Sequence, residues 1–317
     1  MTINRGWSYR EQVGANADGL TVLDYLAASR THSTADEWAA RLGRGEVEIE
    51  GACADRSMIL RPGQTVVWHR PPWDEPEVPS HFTIIHEDDA LIAVDKPSGL
   101  PTMPAGGFLQ HTMMSLLRER HPEASPLHRL GRFTSGLLLF SRTQESAAVL
   151  SRAWRDHEVK KTYRALACGT THTDMFVIDA AIGPVAHPLL GEVEAASETG
   201  KPSRSIATVL ERGEDRTLFS VEIKTGRPHQ IRIHLAFAGH PLVGDPLYCE
   251  GGTLKQQPGL PGDGGYLLHS ERLIFAHPLT GARTTLVAPP PRTLLTRQEL
   301  DAETRPQITQ LTQVQQR

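Results

Sequence analysis

The chain has 317 residues, 39% hydrophobic and 22% charged, with a formal net charge of −4. A chain of this length forms one large domain or two modest ones around a buried core. No apolar run approaches the ~18 residues of a membrane-spanning helix, and the N-terminus lacks the apolar centre of a secretory signal. Because the three cysteines also lie far apart, the sequence predicts a cytoplasmic protein without a membrane span, and a monomer is the default.

Residues 17–72 have the pattern of a small module that begins with helices. The stretch "LTVLDYLAASR" carries apolar residues at helical spacing, and Ser33 or Thr34 can cap a second helix that ends at Gly43. Alternation in "EVEIEG" and "TVVWHR" then predicts two short strands. Four prolines in "PPWDEPEVP" indicate a linker, which we place at 73–81.

Residues 82–295 predict a larger α+β domain with a mixed, largely antiparallel sheet, because strands interleave with few helices. In chain order the predicted elements are a hairpin in "FTIIHEDDALIAVDKP", a strand in "GLLLFSRT", a helix capped by Thr143, strands in "KKTYRALACG", "RSIATVLER" and "LFSVEIKTG", a helix in "IRIHLAFAG" that stops at Gly239, and a strand pair in "GYLLHSERLIFAHP". The polar residues 296–317 predict a frayed or disordered tail.

Charge is distributed unevenly along the chain. Residues 115–165 hold ten Lys/Arg and five acids, a net charge of +5, whereas residues 73–99 hold seven acids and one lysine, a net charge of −6. A local positive field permits nucleic-acid binding despite the negative total. An ordinary solvated face is the alternative explanation of the same charges.

Sites for a metal or a nucleotide cofactor have no support in the sequence. The histidines form no HExxH pattern, the cysteines form no CxxC pair, and neither a Walker A loop nor a GxGxxG turn after a strand occurs. We therefore predict that the protein works without a cofactor or a bound metal.

Four polar stretches are unlike ordinary core sequence: "HRLGRFTSG", "KKTYRAL", "KTGRPHQIRIH" and "GHPLVGDPLY". Arginines in the first and third of them suit the binding of phosphate or carboxylate through the planar guanidinium. Together with "VDKPSGLP", "GKPSRSIATVLER" and "LLHSERLIFAHP", these stretches occur in the order typical of the RluA-type RNA pseudouridine synthases. The resemblance covers about residues 82–290, and residues 17–72 resemble the small RNA-binding module that often precedes that catalytic domain.

The resemblance implies a sheet with a central cleft and the isomerisation of uridine to pseudouridine in structured RNA, either ribosomal or transfer RNA, with ribosomal RNA favoured. The uridine must leave its stack to react. By the same resemblance, Arg129 fills or supports the gap that the flipped base leaves, Tyr163 stacks on the base and assists proton transfer, and Arg227 pairs with the catalytic carboxylate. Leu268 forms an apolar wall of the pocket, and Lys96 supports the fold and the substrate.

The chain departs from the family at one decisive position. The family motif reads His-Arg-Leu-Asp-Arg, and its aspartate is the essential nucleophile or base, whereas this chain has Gly131 there. Glycine supplies no group that can attack C1′ or remove a proton. Asp95 and Asp245 are the nearest acids to family motifs and are therefore the candidates for a substitute, although each also suits a structural role in a turn.

Three interpretations remain open on the sequence alone. The protein is a synthase in which another group replaces the aspartate, or a catalytically impaired RNA-binding protein of the same fold, or a protein that shares only the fold. In the first two, the RNA-binding face carries Arg129, Arg132, Arg227 and Arg232, and binding weakens with salt.

Overall fold

The computed structural model describes residues 3–30 and 32–303 and divides the chain into two compact units, Met1–Glu77 and Val78–Arg317. The boundary falls inside the predicted linker at 73–81. None of the helices within the described residues is long and apolar enough to cross a membrane. Nor does any group of three or more His, Cys, Asp or Glu side chains among those residues have an arrangement that could hold a metal ion.

The first unit combines two helices with a small antiparallel sheet. Its elements are β1 (Trp7–Gln12), α1 (Val22–Ser29), α2 (Ala35–Gly43), β2 (Val47–Ile49), β3 (Ala52–Cys53) and β4 (Thr65–Arg70), and the strand order is β1-β4-β2-β3. Thr34 caps α2 through a reciprocal capping box with Glu37. The unit starts earlier than the predicted residue 17, because β1 pairs with β4 along its whole length.

The first unit holds eight Lys/Arg and twelve Asp/Glu, a net charge of −4. This net charge gives no support for a non-specific attraction of the unit to phosphates. Its role as an RNA-binding module therefore stays a prediction that rests on the resemblance.

The second unit is built on one long mixed sheet with the strand order β10-β13-β14-β9-β17-β8-β6-β5. Its elements are β5 (Thr83–Glu87), β6 (Leu91–Lys96), α3 (Met113–Arg118), β7 (Ser125–Pro126), β8 (Ser135–Ser141), α4 (Gln144–Arg155), β9 (Lys160–Cys168), β10 (Met175–Ile178), β11 (Ile182–His187), β12 (Gly191–Ala196), β13 (Ser205–Arg212), β14 (Arg216–Ile223), α5 (Gln230–Phe237), β15 (Tyr248–Cys249), β16 (Thr253–Leu254), β17 (Leu268–Ala276) and β18 (Arg283–Val287). The pairings are antiparallel except between β8 and β17, which confirms the predicted α+β class.

The sequence pattern was wrong at "GYLLHSERLIFAHP", which forms the single strand β17 rather than a pair. The strand carries a bulge between Ser270 and Arg272 and pairs with β18 further along the chain. A bulge shifts the alternation of faces by one residue, and this shift resembles a break between two strands.

Each face of the long sheet has its own core. On one face, which we call the α5 face, α3 and α5 cover a cluster that includes Val94, Leu138 and Ala165. On the other, the α4 face, Leu150 of α4 packs on a cluster that includes Ala93 and Leu139. Because neighbouring residues in a strand point to opposite faces, each site residue can be assigned to one of them.

Gly136 allows β8 to lie against β17. Its φ is +101°, and a Cβ there would stand 2.3 Å from the carbonyl oxygen of Ser270. Only glycine fits both the left-handed backbone and this approach. The pairing of Gly136 with Ser270 is therefore the contact that joins the two halves of the sheet.

The start of the predicted tail is ordered by an ion pair. Residues 297–303 are helical, and Glu299 accepts two hydrogen bonds of 2.7 Å from Arg164 of β9. Arg164 also donates to Glu271 at 2.8 Å and to the Leu294 carbonyl at 3.0 Å. The predicted frayed tail thus does not begin at residue 296, and residues 304–317 lie outside the described residues.

We expect Gly136→Ala to destabilise the protein far more than Gly191→Ala does. Gly191 also has a positive φ (+75°) but has no atom within 4 Å of the added Cβ, so its substitution measures backbone strain alone, about 1–3 kcal/mol. Gly136→Ala adds overpacking, a further ~1–3 kcal/mol. Urea unfolding of both variants checks the difference, and equal losses would contradict the close approach.

We expect Glu299→Gln to make the protein less sensitive to mild acid. Hydrogen bonds from Arg164 lower the pKa of Glu299 to about 2 from a usual value of 4.5. A depressed folded-state pKa contributes stability that is present above the unfolded value and is lost as the pH falls from about 4.5 to about 2. Thermal unfolding between pH 2 and 7 should show a shallower decline for Glu299→Gln than for the native protein, and parallel curves would contradict the pair.

Candidate active site

The loop between β7 and β8 is held rigidly on both sides of Gly131. Before it, the Leu130 carbonyl accepts a hydrogen bond of 3.0 Å from Thr102 Oγ1. After it, the Arg132 carbonyl accepts from Lys96 Nζ at 3.1 Å and from the Gly99 amide at 2.9 Å. The loop therefore presents position 131 in one fixed place.

His128 anchors the beginning of the same loop. Its ring stacks on Trp154 of α4 at 4.9 Å, and its Nε2 accepts a hydrogen bond of 3.1 Å from the Leu139 amide. Burial lowers the pKa of His128 to about 3, so the imidazole is neutral at physiological pH. This histidine fastens the loop to the sheet.

Gly131 itself is not required by the backbone, because its φ lies outside the left-handed region that favours glycine. What excludes a side chain is a neighbour. An added Cβ would lie 2.9 Å from the hydroxyl oxygen of Tyr266 and 3.3 Å from Thr134 Oγ1. Tyr266 thus extends its hydroxyl into the space where a side chain at position 131 would begin.

Tyr266 is held by a cation and an aromatic ring. It is buried, the Cζ of Arg232 lies 4.3 Å from its ring centroid, and Phe133 meets it edge to face at 6.5 Å. Arg232 in turn donates to the two carboxylate oxygens of Asp245, at 2.6 and 2.8 Å. The phenol therefore rests on an ion pair of fixed geometry.

The structure corrects the prediction that Arg232 contacts RNA. The side chain is 2% exposed, and its donors are taken by Asp245 and by the carbonyl of Pro261 at 3.3 Å. A phosphate could reach this guanidinium only by displacing the ion pair. Arg232 instead packs against the ring of Tyr266 inside the domain.

Asp245 is equally unsuited to replace the missing carboxylate. Besides Arg232, its Oδ1 accepts the amides of Leu247 at 2.8 Å and Tyr248 at 3.1 Å. Burial pushes the pKa of Asp245 upward, but the Arg232 guanidinium and these amides outweigh it and leave the pKa below its usual value. With its side chain 1% exposed, the carboxylate is a structural anion and not a substitute acid.

Asp95 lies on the face of the sheet opposite to Tyr163. It follows Leu91 and Ala93 at alternate positions of β6, and both of these pack in the α4-face core. Burial raises the pKa of Asp95. Since Tyr163 belongs to the α5 face, Asp95 and Tyr163 lie on opposite faces of the sheet.

Tyr163 and Leu268 are brought together as the resemblance implies. They lie on the neighbouring strands β9 and β17, each is 7% exposed, and both belong to the α5-face core that also holds Leu130 and Tyr266. Burial raises the pKa of Tyr163 to about 12, so its phenol is neutral at physiological pH. A neutral phenol can both donate and accept a hydrogen bond.

Arg227 lies in the turn before α5 with an unused donor. Its amide donates to Gln230 Oε1 at 3.0 Å, and its Nη2 lies 3.4 Å from the Pro202 carbonyl. Its Nε is buried and has no hydrogen-bond partner among the described residues. A buried donor without an acceptor is costly, so this one suits an anion that arrives with a ligand.

Arg129 and Arg132, in the loop between β7 and β8, differ in how freely they can contact a phosphate. Arg129 is exposed and free to meet solvent anions. Arg132 is half-buried, donates through Nε to the Gly99 carbonyl at 2.9 Å, and lies over the rings of Phe108 at 4.6 Å and Phe133 at 5.0 Å. Arg129 is therefore the better placed of the pair for a phosphate.

Sequence reasoning missed Tyr266. Tyr266 has a usable signal, because it stands two residues before Leu268 and so shares its face in an extended chain. His229 lies in the polar stretch "KTGRPHQIRIH", but its φ of 54° and its 2.7 Å hydrogen bond to the Tyr248 hydroxyl give it a structural role inside the domain. Burial lowers the pKa of His229 to about 4, and its neutral ring positions Tyr248.

A cavity of about 340 Å³ lies at the end of the sheet beside these residues. Phe133, Tyr266 and Leu268 line it together with Asp95 and His269, whereas Gly131, Tyr163 and Arg227 are not among its lining residues in the described part of the chain. The cavity therefore adjoins the predicted site at Tyr266 without coinciding with it.

Comparison with known proteins settles the family. Residues 90–237 match the RNA pseudouridylate synthase family model. An uncharacterized RNA pseudouridine synthase of Synechocystis is 44% identical over 87% of this chain and 96% of its own length. The dual-specificity RNA pseudouridine synthase RluA of Pasteurella multocida is 34% identical over 68% of this chain and 96% of its own. The chain belongs to the RluA-type RNA pseudouridine synthases.

A solved structure supports the fold of this synthase family member. Human RNA pseudouridylate synthase domain containing 1 superposes with a TM-score of 0.56 at 23% identity, over 73% of this chain and 98% of that one. At this identity the likeness concerns the fold alone, and it agrees with the α+β sheet described above.

We expect Asp245→Asn to destabilise this synthase rather than to remove a catalytic group. Breaking a buried ion pair at one partner costs about 3–5 kcal/mol, because the other charge is left uncompensated. The double variant Arg232→Met/Asp245→Leu should recover part of the loss. Urea unfolding checks both, and native stability combined with lost activity in Asp245→Asn would instead identify a substitute acid.

Proposed function

We propose that the protein isomerises uridine to pseudouridine in structured RNA. One observation carries the proposal: Tyr163 and Leu268, which the family resemblance assigns to the base pocket, share the α5-face core with Leu130 and Tyr266 of the neighbouring loops. An RNA-modifying pocket needs such an apolar surface for a flipped base. Membership of the synthase family supports the same reaction.

The charged residues near this core suit an RNA substrate. Arg129 is exposed on the loop of Gly131, and the buried Nε of Arg227 lacks an acceptor. We assign phosphate contacts to these two arginines, with Arg132 contributing through its remaining donors. Binding through phosphates should weaken as salt rises, because the condensed counterions are harder to release.

Tyr163 acts as a neutral phenol in this proposal. With the pKa raised to about 12 by burial, it keeps its proton across the physiological range. It can stack on the flipped base and pass hydrogen bonds to the ribose without carrying charge. No step needs a metal or a cofactor.

Ribosomal RNA is the substrate that we favour over transfer RNA. The family resemblance supports this choice, since the small N-terminal module accompanies enzymes of large ribosomal RNA more often. Both classes of RNA are substrates to test.

A second function is favoured by Gly131 alone. Without a side chain at the position of the family's aspartate, the protein could flip or clamp a uridine in an RNA stem without modifying it. Such a binder would need the same arginines and the same apolar core, so only a measurement of product separates it from a synthase.

We expect RNA from a strain that lacks the gene to lose pseudouridine at one position or a few, as detected by carbodiimide primer extension. Restoring the native gene should return the modification, whereas Tyr163→Phe should return it about 10²- to 10⁴-fold more slowly, the usual range for a positioned proton-transfer group. If no position changes while purified protein still binds the RNA in a salt-dependent way, the protein is a binder and the proposed reaction is wrong.

A further inference from the structure

We propose that the hydroxyl of Tyr266 stands in for the carboxylate that position 131 lacks. The inference rests on the proposed function, since it names the group that meets the ribose in that reaction. It starts from the 2.9 Å that separate the Tyr266 hydroxyl oxygen from the place of a Cβ on Gly131. The polar atom nearest to the missing side chain is therefore a phenol.

The position of the Tyr266 hydroxyl explains why residue 131 is a glycine. Gly131 has no conformational need to be glycine, because its φ is outside the left-handed region. Its Cβ is excluded instead by the Tyr266 hydroxyl and, less closely, by Thr134 Oγ1 at 3.3 Å. A side chain at 131 and the hydroxyl at 266 would crowd each other, so one of them would have to shift.

The phenol is held as firmly as a catalytic group needs to be. Arg232 lies under its ring, Asp245 fixes Arg232 through two hydrogen bonds, and Phe133 closes the edge. Gly264 allows this contact, because a Cβ there would fall 2.5 Å from the Phe133 ring. Groups locked by packing and by supporting hydrogen bonds keep the geometry that catalysis requires.

Tyr266 also borders open space. It lines the cavity of about 340 Å³ together with Leu268, the predicted wall of the base pocket. The volume falls in the range of small-molecule sites. The cavity therefore lies beside Tyr266, although Gly131 is not among its lining residues.

The chemistry needs an oxygen at this position but no carboxylate. When the C1′–N1 bond breaks, its electron pair leaves with uracil, and C1′ shares positive charge with the ribose ring oxygen. A lone pair of the Tyr266 oxygen faces C1′ and stabilises that charge. Tyrosine also replaces the usual carboxylate in some enzymes that cleave glycosidic bonds.

The second half of the reaction balances without any added reagent. After uracil turns, the electron pair of C5 forms the C5–C1′ bond. C5 gives up its proton to water while N1 takes one from water, so the product contains the same atoms as uridine. Nothing is oxidised or reduced, and the phenol is unchanged at the end.

The test compares single-turnover rates of the full-length protein on the RNA fraction that the gene-deletion strain leaves unmodified. Tyr266→Phe should lower the rate about 10²- to 10³-fold, as expected when one electrostatic stabiliser of the transition state is removed. The affinity for the RNA and the midpoint of thermal unfolding should stay at native values. Retention of the native rate by Tyr266→Phe would overturn the inference and leave the proposed function standing.

Tyr248→Phe is the matched control. Tyr248 lies on the same guanidinium, with its ring centroid 5.0 Å from Arg232 Cζ, but its hydroxyl donates to the Glu194 carbonyl at 2.6 Å. Its loss removes a buried phenolic hydroxyl near Arg232 without touching position 131. The single-turnover rate of Tyr248→Phe should stay near that of the native protein, and a loss equal to that of Tyr266→Phe would show a merely structural effect.

Substitutions at position 131 provide a second test, independent of the Tyr266→Phe variant. Gly131→Ala should lower the rate, because its Cβ displaces the hydroxyl. Gly131→Asp alone should also be slow, since the carboxylate and the hydroxyl compete for one space. The double variant Gly131→Asp/Tyr266→Phe should be faster than either single variant, because the carboxylate then has room.

The outcomes separate the two proposals. A native protein that binds RNA without modifying it, and becomes active only as Gly131→Asp/Tyr266→Phe, shows that the hydroxyl is no substitute, and both proposals fail. A native protein that is active while Tyr266→Phe and Gly131→Ala keep its rate overturns the role of Tyr266 alone. Loss in both single variants with rescue in the double variant supports both.

Discussion

The ion pair between Arg232 and Asp245 supports most of the site. It is almost fully buried, and it joins α5 to the turn before β15. Both carboxylate oxygens and two backbone amides take part, so the pair meets the condition under which a buried charge is tolerated. The Arg232 Cζ also lies 4.3 Å from the ring centroid of Tyr266 and 5.0 Å from that of Tyr248.

A second buried cation fixes the loop that faces Tyr266. Lys96 is fully buried and donates to the carbonyls of Pro97, Leu100 and Arg132 at 2.8–3.1 Å. Burial lowers the pKa of Lys96 to about 7, while its three carbonyl acceptors satisfy the ammonium form. Through Lys96 the motif "VDKPSG" thereby supports the loop that carries Gly131.

The fold was largely accessible from local patterns. Capping by Thr34 and Thr143, the hairpin of β5 and β6, and the end of α5 at Gly239 follow from backbone chemistry within a few residues. The failure at β17 came from a bulge, which arises when strands pair and has no local signature. Pairing in β17 also required Gly136 to approach Ser270, a contact across more than a hundred residues.

For the candidate site, too, some features follow from local sequence and others depend on tertiary contacts. The sequence by itself determined the family, the identity of the reactive stretches and the absence of a carboxylate at Gly131, because motifs are local strings of residues. Only the tertiary structure decided which charges are available: Arg232 and Asp245 neutralise each other inside the domain, and Asp95 belongs to the opposite face from Tyr163. Tertiary packing alone placed the Tyr266 hydroxyl beside Gly131. Burial and pairing depend on contacts between distant segments, and a linear pattern of residues does not contain them.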